Sequence, residues 1–259
     1  MARRRPAFRV HELGRYAVLY PAIAEAARRL DARSIGLVDV GTVAGLNLQV
    51  DRVGISYDNG QTLGDPTSRA QRSASIVGRQ PLPGTAIPAV AVRVAVGTDP
   101  VDVTSADDVS WLHACLTEEG PDLQAALAEE LALAATDPPH RVAGDLTTAL
   151  VEAIALVPDD VVPVVTTTWA LSRLPLEGRL RFLQQLDRAS AVRPLAWVSV
   201  EGVGVAPAVP TLGDRPASGH SIVAVSVASG ADFHVAVVGR CWRRGQMLSW
   251  ISPVTSLRS

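Results

Sequence analysis

The chain contains no lysine: all 24 of its basic residues are arginine. A P-loop needs a lysine on the nucleotide phosphates, and pyridoxal phosphate or other Schiff-base chemistry needs a lysine amine, so those reaction classes are excluded. Cysteine is nearly as scarce. Cys115 and Cys241 are the only two; they show neither metal-ligand spacing nor a framework of pairs, which predicts reduced, buried thiols. No His/Cys/Asp cluster has metal spacing, so no metal is expected. Long apolar runs are also missing. None reaches the roughly 20 residues of a bilayer span, and the apolar segment after Arg3, Arg4 and Arg5 is broken by Pro21 and Glu25 too early for a secretion signal. A cytoplasmic protein with no membrane partner is the expectation. With a net charge of −2 and its only dense basic cluster in a solvated tail at 1–11, the chain offers nothing for non-specific attraction to nucleic acid. The partner class left standing is a small molecule.

What is present is a 259-residue chain that is 47% hydrophobic, enough to fill one core, so residues 1–259 are read as a single domain. Apolar residues at three- and four-residue spacing predict an N-terminal helix over 12–30, kinked at Pro21. "SIGLVDV" follows as a buried strand, with a short helix from about Ala44. The turn signals Asp58-Asn59-Gly60 and Gly64-Asp65-Pro66 mark 54–84 as an insertion outside the strand–helix repeat. Thereafter strands at "VAVRVAV", "HRVAG", "VVPVVTT" and "PLAWVSV" alternate with helices. One of these starts at a Ser105 cap, another has Pro121 in its first turn, and a third is headed by Asp145. After a Pro/Gly-rich loop at 202–219, "SIVAVSVA" and "FHVAVVGRC" flank Ser229-Gly230-Ala231-Asp232 at hairpin spacing. Alternation through five strands predicts a doubly wound, mostly parallel seven-stranded α/β sheet ending in an antiparallel hairpin, whose last strand inserts beside the fifth.

In such a sheet ligands bind beyond the carboxyl ends of the strands. There the first strand ends in Asp39, Gly41 and Gly45, a D-x-G-x-x-x-G turn. The dinucleotide fingerprint G-x-G-x-x-G fails at Val43, which disfavours a nicotinamide enzyme. Two readings of the turn stay open: it cradles a smaller ligand, or glycine serves there only to carry strand into helix. Asp99 and Asp145 fall at the ends of the next two strands. An acid at the second strand end is where ribose hydroxyls are gripped in this architecture, against a plain Asp-Pro turn for Asp99 and a helix cap for Asp145. Glu201, after the fifth strand, is the best-placed general base, against a carboxylate that merely caps backbone. His11 and Glu12, ahead of the first helix, are candidates to lie over the cleft.

The order of these features resembles the class I, Rossmann-like S-adenosylmethionine-dependent methyltransferases. More closely, the chain is similar to an uncharacterised bacterial family, domain of unknown function 2332, through "HELGRYAVLYPAIA", "VDVGTVAGLNLQVDR", "DPPHRVAGD", "LPLEGRLRFL", "RPLAWVSVEGVGV" and "GQMLSW". The resemblance implies an S-adenosylmethionine-binding fold with Asp39, Gly41, Gly45 and Asn47 at the methionine side, Asp99 at the ribose, Asp145 at the adenine, and Thr167 among the cofactor contacts. It leaves the methyl acceptor unassigned. Departures from the family pattern are "AVGTDPVD" around the ribose acid, Thr167 and Thr168 in place of His-Ser, and "WRRG" in place of His-x-His-Gly. These imply a degenerate copy, or a non-catalytic binding module on the same fold.

Overall fold

The computed structural model describes residues 13–251; the expected basic tail at 1–11, His11 and Glu12 lie outside the described residues. Helix α1 (Tyr16–Arg29) closes with Arg28 and Arg29 in its last turn, where cations suit the helix dipole, and both pair with Glu25 at 2.8 Å. Strand β1 (Ser34–Val40) follows, then a buried 3-10 helix over Leu46–Arg52 in place of the helix expected from Ala44. The insertion carries β2 (Gly54–Tyr57), β3 (Thr62–Gly64) and β4 (Gln71–Ile76). The repeat then runs β5 (Ala89–Gly97), α2 (Ala106–Cys115), α3 (Pro121–Thr136), β6 (His140–Ala143), α4 (Ala149–Ala155), β7 (Val162–Thr168), α5 (Leu176–Ser190) and β8 (Leu195–Gly202). Last come β9 (Ser221–Ser229), β10 (Asp232–Trp242) and β11 (Met247–Trp250).

The parallel core β6-β5-β1-β7-β8 matches expectation, but the sheet has eleven strands and not seven, in the order β3-β2-β4-β11-β10-β9-β8-β7-β1-β5-β6. Two corrections account for this. The chain turns back after β10 to form β11, and β11 pairs with β4 through only Met247↔Ser75 and Leu248↔Ile76, which splices the insertion onto the sheet's far edge. The antiparallel neighbour of β8 is also the first arm of the hairpin, β9, in register from Leu195↔Ala228 to Gly202↔Ser221. The loop after β8 has no crossover helix, so it returns the chain at the strand end it has just left, where only an antiparallel neighbour is in reach. The insertion does stay outside the parallel core.

Helix α1 is buried from Tyr16 through Ala27, which requires cover on all sides: it contacts β7, β8 and β9 and also β4 of the insertion. Helices α4 and α5 pack on the opposite face around Phe182, Leu186 and Trp197. Helices α2 and α3 close a smaller core over the loops that follow β1 and β5. Ser105 caps α2 by accepting from the Asp108 amide. Of the two cysteines expected to be buried, Cys241 is, whereas Cys115 is exposed because the last turn of α2 presents it outward.

Pro21 sits inside α1. Proline has no N–H, so the Ala17 carbonyl one turn earlier loses its helical donor. The Tyr57 hydroxyl of β2 donates to that carbonyl at 2.7 Å, tying the insertion to the core. Tyr57→Phe leaves the buried carbonyl without this donor and is expected to cost about 1–3 kcal/mol, read as a lowered denaturant midpoint at unchanged slope. A shift under about 0.5 kcal/mol, the size of an ordinary surface change, would show that the carbonyl finds another donor.

Candidate functional site

The parallel register sets Asp39 of β1 directly against Thr166 of β7. The Asp39 carboxylate is buried, accepts from the Thr166 hydroxyl at 2.7 Å and from the Asn47 amide at 3.1 Å. Burial holds its carboxyl above the ordinary range, opposed by the Thr166 hydroxyl, the charge of Arg15 and the Asn47 and Thr42 side chains.

Both turn glycines have left-handed backbones, with φ of 84° at Gly41 and 65° at Gly45. What surrounds them is protein. A Cβ on Gly41 would stand 2.5 Å from the Ala170 Cβ, and one on Gly45 3.1 Å from Ala95 and 3.2 Å from Pro139. The Gly41 amide donates to the Val96 carbonyl at 2.8 Å, and the Gly45 amide to the Thr42 hydroxyl at 2.9 Å. In this arrangement the turn carries strand into helix, and its cradle is filled by the segment after β7.

That segment is distinctive. Trp169 has a φ of 53°, a conformation non-glycine residues adopt at a cost. Its indole N–H donates to the Ser221 hydroxyl at 2.8 Å, and its ring lies 5.0 Å from the guanidinium carbon of Arg15. Arg15, itself buried just ahead of α1, donates to the Thr168 carbonyl at 3.0 Å. Glu201 reaches the same place from β8: one carboxylate oxygen accepts from the Ala170 and Leu171 amides at 3.0 Å each. Burial pushes its carboxyl up to about 7, against the pull of those amides and of Arg15.

The remaining expected residues do not converge. Thr167 points to the opposite face, where it accepts from the Trp197 indole at 3.0 Å. Asp99 lines a groove of about 400 Å³ with Pro100, His140 and Arg141. Asp145 is exposed; its carboxylate accepts from the Thr147 amide at 2.7 Å and from the Thr147 hydroxyl, which hold it below the usual range. It therefore caps the turn that leads into α4. S-adenosylmethionine fits this arrangement in part: the polar groups at the ends of β1, β7 and β8 suit a zwitterionic ligand, but the cradle over Gly41 is occupied by Ala170.

The sequence reading missed Arg15, Thr166 and Thr168. Two-residue strand periodicity was the available signal for the threonines, since Thr166 and Thr168 share a face that Thr167 does not. At the ends of these strands the buried side-chain atoms Asn47 Oδ1, Thr168 Oγ1 and Glu201 Oε2 have no hydrogen-bond partner among the described residues, Glu201 starting from the face of the sheet that Thr167 shares.

Fold and site together define an α/β protein with a mixed, mostly parallel sheet and a buried polar cluster at the carboxyl ends of its central strands. The chain belongs to the family described as "Uncharacterized protein conserved in bacteria (DUF2332)", whose profile matches residues 3–250. No curated protein matches it. Among solved structures it is similar to TrmN from Thermus thermophilus at 14% identity and a TM-score of 0.30, over 85% of this chain and 49% of that one, so it spans about half the length of that protein. No helix among the described residues is long and apolar enough to cross a membrane, and no group of His, Cys, Asp and Glu side chains there could hold a metal ion.

Proposed function

We propose that the chain is a methyltransferase-like protein that binds a small polar ligand at the carboxyl ends of β1, β7 and β8, with S-adenosylmethionine the ligand its sequence resemblance implies. The observation that carries this reading is the set of unpartnered buried atoms Asn47 Oδ1, Thr168 Oγ1 and Glu201 Oε2. An unsatisfied buried polar group costs about 1–3 kcal/mol, and such groups at the carboxyl ends of β1, β7 and β8, where α/β sheets bind ligands, are better explained by a partner that supplies the missing bonds. Access requires the turn at 169–173 to move off Gly41. On this reading Asp39 and Asn47 lie at the methionine side, and Glu201 faces the acceptor as its base; Asp99 and Asp145 join only if their loops rearrange, and Thr167, inside β7 and turned to the other face, only if the strand itself turns. A second reading, a non-catalytic module, is favoured by the Ala170 methyl packed over Gly41.

Calorimetric titration of the whole chain with S-adenosylmethionine and with its demethylated product, NAD serving as control, separates the two. Thr168→Val removes one orphan hydroxyl at nearly constant volume. It is expected to leave stability unchanged or raised and to weaken binding about fivefold, the worth of one neutral hydrogen bond of about 1 kcal/mol. No heat with wild type would favour the non-catalytic module.

A further inference from the structure

The tight turn between β10 and β11 holds three successive left-handed residues: Arg243 at φ 46°, Arg244 at 57° and Gly245 at 94°. Glycine adopts this backbone freely, and asparagine or aspartate tolerate it, but an arginine does so at a cost. Gly245 is explained by packing, since a Cβ there would stand 3.2 Å from Val18 of α1. Nothing in the turn itself explains two arginines. Both are exposed, and neither has a hydrogen-bond or ion-pair partner for its side chain among the described residues.

Both border open space. A cavity of about 280 Å³ is lined by Arg243, Arg244, Arg72 and the apolar wall of Leu13, Leu123 and Ala126. A second, of about 640 Å³, is lined by Arg243 with the hydroxyl-bearing Ser56, Ser73 and Ser75, and with Asp58. Ser73, Arg243 and Gln246 line both, so the two adjoin. The acids near the first cavity, Glu129 and Glu130, both pair with Arg72, and neither pairs with Arg243 or Arg244. Two planar guanidiniums are suited to bidentate capture of a phosphate, while serine hydroxyls, an amide and a carboxylate suit sugar hydroxyls.

We infer that these adjoining cavities bind a phosphorylated, hydroxyl-bearing small molecule, with its phosphate between Arg243 and Arg244 and its hydroxyls toward Ser73, Gln246 and Asp58. The site is separate from the cluster at the ends of β1, β7 and β8 and does not depend on what that cluster holds. Titrating the whole chain with ribose 5-phosphate, inorganic phosphate and ribose tests it. Ribose 5-phosphate is expected to bind more tightly than phosphate, ribose not at all, and added salt to weaken both phosphates. Arg243→Gln and Arg244→Gln should each weaken binding about ten- to a hundredfold, the worth of a charge-assisted hydrogen bond, and the double variant should abolish it. Arg244→Gly separates this from a structural role: it should lose binding yet melt at a higher temperature, because glycine relieves the left-handed backbone. Failure of wild type to take up either phosphate, or undiminished affinity in the double variant, would overturn the assignment. So would retention on phosphatidylcholine vesicles carrying phosphatidylinositol 4-phosphate without uptake of ribose 5-phosphate, since the occupant would then be a lipid surface.

Discussion

Arg72→Met is expected to destabilise the fold by about 3–5 kcal/mol, the range for breaking a buried ion pair from one side. Arg72 of β4 sends its guanidinium onto Glu130 of α3 at 2.8 Å, donates to the Ala126 carbonyl at 3.1 Å, and reaches the half-exposed Glu129 at 3.2 Å. Glu130 is fully buried, and burial already raises its carboxyl above the ordinary range despite Arg72. Methionine keeps most of the stem and removes the cation that opposes this rise by hydrogen bonding. The Glu130 carboxyl then climbs further, and the deficit grows as pH rises from the carboxylate range toward neutrality and shrinks in acid, where Glu130 is neutral in folded and unfolded chain alike. The partner change distinguishes a desolvated charge from lost packing: Arg72→Met with Glu130→Leu should recover most of the loss, because an apolar pair of similar volume leaves no stranded charge. Denaturant unfolding of the four species closes the cycle. If the double variant is as unstable as the single, the guanidinium's bonds to the Ala126 carbonyl and Glu129, and not a stranded Glu130 charge, hold the insertion to α3.

How much of this was legible in the sequence follows from which interactions are local. The strands of the parallel core announce themselves as continuous apolar runs, as in "SIGLVDV", because they are covered on both faces. Ser105 and Pro121 mark helix starts through chemistry confined to a few neighbouring residues. The far edge of the sheet is not local: the β11–β4 ladder rests on two residue pairs, and β4 reads "QRSASI", polar enough to pass for a loop. Whether a hairpin's first or second arm lies inside depends on where a long loop returns, which no periodicity encodes.

The site divides in the same way. The D-x-G-x-x-x-G turn was correctly placed at the end of β1, but a glycine with positive φ looks the same in sequence whether a ligand or Ala170 fills the space beside it. Arg15 carried no pattern at all; it matters because α1 is threaded between the sheet and the insertion, which brings a residue at the head of the chain under Trp169. Glu201 was noticed for its strand-end position, and the structure supplies what the sequence lacked, its burial and its two amide donors.

That burial gives Glu201 the second large effect. Its carboxyl titrates near 7 in the folded chain against an ordinary value of 4.5, so between those two values the folded state binds the proton more tightly than the unfolded state does. The neutral form's contribution is fully present below about pH 4.5, falls as pH rises, and is gone above about pH 7, a swing on the order of 3 kcal/mol. Glutamine keeps an oxygen for the Ala170 and Leu171 amides and never ionises. Glu201→Gln should therefore match wild type in stability near pH 4.5 and exceed it by about 2–3 kcal/mol at pH 8, a rise in Tm of roughly 2–4 °C for each kcal/mol in a chain of this size. Melting both proteins across pH 4.5 to 8 reads the difference directly. Curves that stay parallel would mean that the carboxylate ionises in the fold at no cost, through hydration or a cation brought near Oε2. The same variant bears on function without confusing the two questions: glutamine keeps a polar atom in place of Oε2 but is no base, so ligand affinity should hold while any methyl transfer falls. A variant that loses ligand affinity although it melts higher would show that the ligand needs the carboxylate itself.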